Sequence, residues 1–108
     1  GAGIVVTLDS IRQLPTTNKF YQEARTWLDK KKANVKVLLR PGSLQRRPTE
    51  VSNFSLQVDL NKRRLVMDYF LIRDRDGGAT LAARLPDAKG VEKRRKEVEQ
   101  IAKSVRRR

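Results

Sequence analysis

The alternation of apolar and polar positions is clearest between Ser52 and Asp74, SNFSLQVDLNKRRLVMDYFLIRD. Phe54, Leu56, Val58 and Leu60 alternate with Ser55, Gln57 and Asp59, the period of a strand with one buried face. From Arg64 to Asp74 the pattern changes. Leu65, Val66, Met67, Tyr69, Phe70, Leu71 and Ile72 are apolar on both faces, which predicts a central strand. Asn61-Lys62 between the arms predicts a tight hairpin, because Asn tolerates the left-handed conformation of such a turn, although Lys is a poor second residue. A two-stranded ribbon is marginal alone, so the flanking segments are expected to cover it.

Upstream, Gly3 to Leu8 predicts a short strand, and Asp9 to Thr17, with Pro15, a loop. Thr16, Thr17 or Asn18 can cap a helix whose apolar face is Phe20, Tyr21, Ala24, Trp27 and Leu28. That spacing sets Tyr21 and Trp27 in the core, the alternative being that they stack on bases. Lys30, Lys31 and Lys32 close the helix, where cations suit the negative end of its dipole, or else contact phosphate. Val35, Val37 and Leu39 predict a second strand that Pro41-Gly42-Ser43 ends, and Leu44 to Val51 an exposed binding loop carrying Arg46 and Arg47.

Downstream, Asp74 to Gly78 predicts a turn, while Ala79 to Leu85 fits either an edge strand or the start of a helical connection. Pro86-Asp87 reads as a helix start with Asp87 as cap. Val91, Val98, Ile101 and Val105 form the stripe of that helix, supported by Glu92 with Lys96 and Glu99 with Lys103. Together these predict an α+β fold: an antiparallel β-sheet of three to five strands with two helices packed on one face, in the order β-α-β-β-β-(β)-α, as a single domain over 1–108. The chain does not begin with Met and its first three residues read as a cloning remnant, so an excised piece of a longer protein is expected. Arg106 to Arg108 read as a disordered basic end or the beginning of absent sequence.

Composition then removes chemistry. Cysteine and histidine are both absent, which excludes the usual zinc, thiol, disulfide and haem ligand sets and the commonest general base. There is no Walker loop, no G-x-G-x-x-G and no nucleophile elbow. Asp59, Asp68, Asp74 and Asp76 could in principle hold magnesium, but pairing with Arg or Lys is the simpler account of Asp59 and Asp68. A calcium loop at Asp74–Gly78 fails because its first position would be Ile72 and its last Ala83. The expectation is a non-enzyme without cofactor or metal. No stretch is long and apolar enough to span a membrane and no leader is evident, so a soluble, intracellular protein, cytoplasmic or nuclear, is expected.

Charge supplies the positive signal. Twenty-five Lys and Arg against 12 Asp and Glu leave a formal net charge of +13, a field that attracts polyanions. The candidate nucleic-acid-binding residues are Lys30, Lys31, Lys32, Arg46, Arg47, Lys62, Arg63, Arg64, Lys93, Arg94, Arg95 and Lys96. From Asn18 onward the order helix, strand, strand, strand, helix resembles double-stranded-RNA-binding domains, and also the small signal-recognition-particle subunits that bind Alu-type RNA. The first resemblance covers about Lys19 to Val105 and would set Lys93, Arg94, Arg95 and Lys96 where that family's second helix meets phosphates. FYQEARTWLDKKKANVKVLLR also looks like the helix-then-strand part of bacterial initiation-factor C-terminal domains. The expected function is therefore non-catalytic binding of structured or double-stranded RNA through phosphates. The alternatives are a protein-interaction or assembly module of a nucleoprotein complex, a homo-oligomer included, and a DNA-binding domain.

Overall fold

A computed structural model describes residues 3–10, 14–47, 49–75 and 77–104. Five strands and two helices follow one another as β1 (Gly3–Ser10), α1 (Thr17–Lys30), β2 (Asn34–Gln45), β3 (Glu50–Leu60), β4 (Arg63–Asp74), β5 (Gly77–Pro86) and α2 (Val91–Ser104). The strands form one antiparallel sheet in the order β1-β5-β4-β3-β2. The chain is thus α+β. The edges β1 and β2 run in the same direction, and α1 carries the chain between them across one face of the sheet.

The helices lie on opposite faces, which corrects the expectation that both pack on one. Met67 and Tyr69 of β4 share a core with Phe54, Leu56 and Val58 of β3 and Ala24 and Leu28 of α1. The alternate residues Phe70 and Ile72 join Leu81 and Ala83 of β5 and Val98 and Ala102 of α2 in a second core. The physical reason is the composition of β4: Leu65 through Ile72 are all buried. A strand apolar on both faces can be kept dry only by a layer on each side.

On the α1 side the core is aromatic. Phe54 stacks on Tyr69 with ring centroids 4.6 Å apart, and Phe20 meets both edge-on at 5.4 and 5.6 Å. Such pairs add about 1 kcal/mol each beyond burial. Trp27 is not part of this core; its side chain stands at the surface, 48% exposed. Its place on the helix explains this, because Ala24 and Leu28 mark the centre of the buried stripe and Trp27 lies a quarter turn outside it.

Several boundaries differ from expectation. β2 runs through Pro41-Gly42 to Gln45, with register irregularities after Val37, Leu39 and Ser43. An edge strand tolerates Pro and bulges because one row of its backbone groups needs no partner. The following loop is correspondingly short, and Val51, expected within it, is a fully buried residue of β3. Ala79 to Leu85 is an interior strand, paired with both β4 and β1. β5 continues to Pro86, so α2 begins at Val91 and Asp87 does not cap it; its carboxylate instead accepts from Gln57 Nε2 at 3.0 Å. On α2, Ile101 is 43% exposed and Ala102 takes its place in the core. Glu99 pairs with Lys103 at 3.5 Å, whereas Glu92 pairs with Arg95 at 3.0 Å rather than with Lys96. Asp76, Val105 and Arg106 to Arg108 lie outside the described residues. Among the described residues no helix is long and apolar enough to cross a membrane.

Candidate nucleic-acid interface

Two of the four basic clusters, and the start of the helix that carries a third, come to one end of the sheet, for reasons visible in the register. Leu60 pairs with Arg63, so the β3–β4 turn is Asn61-Lys62 and forms one tip of the sheet. Asn34, the first residue of β2, pairs with Asp59, which brings the end of α1 to that same tip. Pro86 pairs with Leu65, and the Asp87 amide donates to the Arg64 carbonyl at 2.9 Å, which starts α2 there as well. Lys30 to Lys32 and Lys62 with Arg63 therefore lie at one end of the sheet, and α2 leaves from it with Lys93 and Arg94 in its first turn, whereas Lys96 lines a groove with Asn53, Ser55, Asp68 and Phe70, midway along the strands. The α1 cluster lies toward one face, the α2 cluster toward the other, and the hairpin tip between them. Arg46 and Arg47 are exposed as expected, but they follow the far end of β2 and sit at the opposite end of the sheet.

Two of these lysines occupy positions where the backbone favours glycine. The last turn of α1 closes with the Lys32 amide on the Asp29 carbonyl (3.0 Å) and the Ala33 amide on the Leu28 carbonyl (3.1 Å), with Lys32 at φ 59°. This is a Schellman motif, whose left-handed residue is usually Gly. Asn61 and Lys62 have φ of 51° and 64°, the two positive values of a type I′ hairpin, whose second residue is again usually Gly. The third cluster also runs against local preference. Lys93, Arg94 and Lys96 fall in the first two turns of α2, at the positive end of its dipole, where acidic residues are stabilising.

Two of the candidate residues have other partners. Arg95 points at the sheet: Nε donates to Asp68 Oδ2 at 2.9 Å, Nη2 to Oδ1 at 3.1 Å, and Nη1 to Glu92 Oε1 at 3.0 Å. Asp68 is only 4% exposed and also accepts from Ser55 Oγ at 2.5 Å. The hydrogen bonds to Asp68 raise the Arg95 pKa further above its ordinary value, against the lowering effect of burial. Arg95 therefore fastens α2 to the sheet and leaves the phosphate-contact set. Arg64 Nε donates to Asp59 Oδ1 at 3.1 Å, an exposed pair worth little energetically.

Two further cations that no basic run in the sequence marks, Arg84 and Lys89, are exposed near this end. Arg84 lines a 330 Å³ pocket with Leu60, Asn61, Arg63 and Leu65, so it adds a cation beside the hairpin tip. Its only signal was its place in ATLAARL, a segment whose period decided nothing. Lys89 stands exposed in the connection between β5 and α2. The acidic groups at this end are Asp29, Asp59, Asp87 and Glu92, of which Asp59 and Glu92 are held by arginines. The balance remains cationic. No protein-family model matches this chain, and neither curated proteins nor solved structures yield a match.

Proposed function

We propose that this domain binds nucleic acid without catalysing a reaction, gripping phosphates with the cationic end of its sheet. The observation that carries the reading is that Lys30–Lys32, Lys62–Arg63 and the start of α2 with Lys93 and Arg94 come to that end, with Lys32 and Lys62 in left-handed positions that local structure would give to Gly. Side chains placed against local preference point to a use outside the fold. Because the interface is mainly lysine, a compact charge without a planar fork, it suits phosphate contact more than base reading. Helices on opposite faces remove the packing on which the parallel with double-stranded-RNA-binding domains depended, so charge geometry supports nucleic acid as a class. Duplex RNA is the first ligand to set against duplex DNA and single-stranded RNA.

The test is a fluorescence-anisotropy titration of the protein and its Lys32→Gly/Lys62→Gly variant at several salt concentrations. The wild type is expected to bind with steep salt dependence, and each lost phosphate contact to reduce the slope of log K against log salt by about one. Both substitutions suit the backbone, so a weaker, less salt-sensitive variant that is at least as stable as wild type locates the contact. Equal binding by the two proteins would sink the proposal.

A second reading, a protein-interaction module, has one observation in its favour: Leu38 and Leu39 are 42% and 45% exposed on the edge strand β2. Concentration-dependent self-association, or partner binding indifferent to salt, would favour it over nucleic acid.

A further inference from the structure

Trp27 is the single tryptophan in the chain, and nearly half of its surface is open to solvent. An exposed indole costs solvation without helping the core, so its surroundings decide what it does. It stands one turn before the Lys30–Lys32 cluster, on the outer side of α1. Lys31 Nζ lies over the ring, 5.6 Å from its centroid. Beside the ring is an open groove of 380 Å³ lined by Lys19, Gln22, Glu23, Thr26, Trp27 and Lys30.

This set has the parts needed to hold a nucleotide by its base. An indole face stacks on any base, because every base has an aromatic face. Gln22, Glu23 and Thr26 offer hydrogen-bonding groups to the edge of a base lying on the ring, Glu23 as an acceptor for an exocyclic amino group. Lys30 and Lys31 would meet the phosphate of the same nucleotide. A base pair inside a helix cannot use the site, because both its faces are covered by its neighbours; an unpaired base can.

We propose that Trp27 is a stacking site for an unpaired base adjoining the phosphates held at the cationic end of the sheet. The inference rests on the nucleic-acid reading above and narrows the ligand to one with a single-stranded extension or loop beside the region gripped by lysines.

The test compares a short blunt RNA duplex with the same duplex carrying a few unpaired nucleotides on one strand, read both by anisotropy and by the intrinsic fluorescence of Trp27. The extended ligand is expected to bind at least about 5-fold more tightly, as a stacking contribution of about 1 kcal/mol requires. It should also quench the tryptophan more strongly than the blunt duplex, whose only open base faces are those of its two terminal pairs. Trp27→Ala should abolish the preference and leave affinity for the blunt duplex unchanged, and Trp27→Phe should restore part of it. Equal affinity for the two ligands with unaltered fluorescence, or a preference that survives Trp27→Ala, would overturn this inference while leaving the nucleic-acid reading intact. Failure to bind either ligand would overturn both.

Discussion

The guanidinium of Arg95 and the carboxylate of Asp68 face each other across the interface between α2 and the sheet, joined by two hydrogen bonds of 2.9 and 3.1 Å. Asp68 sits in the middle of a strand between the apolar side chains of its chain neighbours, and Ser55 Oγ on β3 donates a further hydrogen bond to the same carboxylate. Burying a carboxylate is costly unless it is paired, and here the pairing is bidentate. The pair also sets the rotation of α2, because with Arg95 turned inward Lys93, Arg94 and Lys96 remain exposed.

Arg95→Ala should therefore destabilise the fold by about 3 kcal/mol, since it leaves a buried carboxylate with only a serine partner. Replacing both members with apolar residues, Asp68→Leu with Arg95→Met, should recover much of that loss because no charge is stranded. Urea unfolding of the single and double variants decides it. A double variant weaker than Arg95→Ala alone would show that the pair contributes more than its own satisfaction.

Lys32→Gly and Lys62→Gly should each raise stability by roughly 0.5–1 kcal/mol, relief of left-handed strain exceeding the added freedom of the unfolded chain. Thermal melts at matched salt provide the measurement, and a lower midpoint for either variant would mean that the lysine side chain makes a stabilising contact of its own.

Gly78→Ala should be severe. A Cβ built at Gly78 would collide with the Ile72 carbonyl oxygen, which is backbone held in the β4–β5 ladder close to its turn and cannot yield cheaply. A loss of about 3 kcal/mol is expected, at the upper end for overpacking. Unaltered denaturant midpoints would show that the hairpin relaxes where its ladder implies it cannot.

Burial pushes the Tyr69 phenol from its ordinary 10 up to about 12. Because the folded state holds this proton more tightly than the unfolded chain, the associated stability is fully present below pH 10 and falls away as the pH rises towards 12. Over that interval Tyr69→Phe should lose less stability than wild type, the difference approaching about 3 kcal/mol. Parallel curves for the two proteins between pH 10 and 12 would contradict the assignment.

The strands at the centre of the sheet were readable from the chain because their evidence is local. The alternation of Phe54, Leu56 and Val58, the two apolar faces of β4 and the Asn61-Lys62 turn each lie within a dozen residues. Thr16 could be proposed as a cap for the same reason, and its side chain does accept from the Lys19 amide at 3.1 Å. β5 was ambiguous because Ala and Thr have no strong period, and the burial of Val51 was hidden by the Pro and Arg residues just before it.

Sequence alone determined the absence of cysteine and histidine chemistry, the size of the positive charge, the central hairpin and the existence of both helices, since composition and short-range periodicity carry these. Only the tertiary structure decided which faces the helices cover, that Arg95 belongs to the fold while Lys93, Arg94 and Lys96 face solvent, that Trp27 is exposed, and that the α1 and hairpin clusters share one end with the start of α2 while Arg46 and Arg47 lie at the other. Those facts depend on strand register and on which side of the sheet each connection crosses. Both follow from contacts between residues far apart in the chain, where a local pattern carries no information.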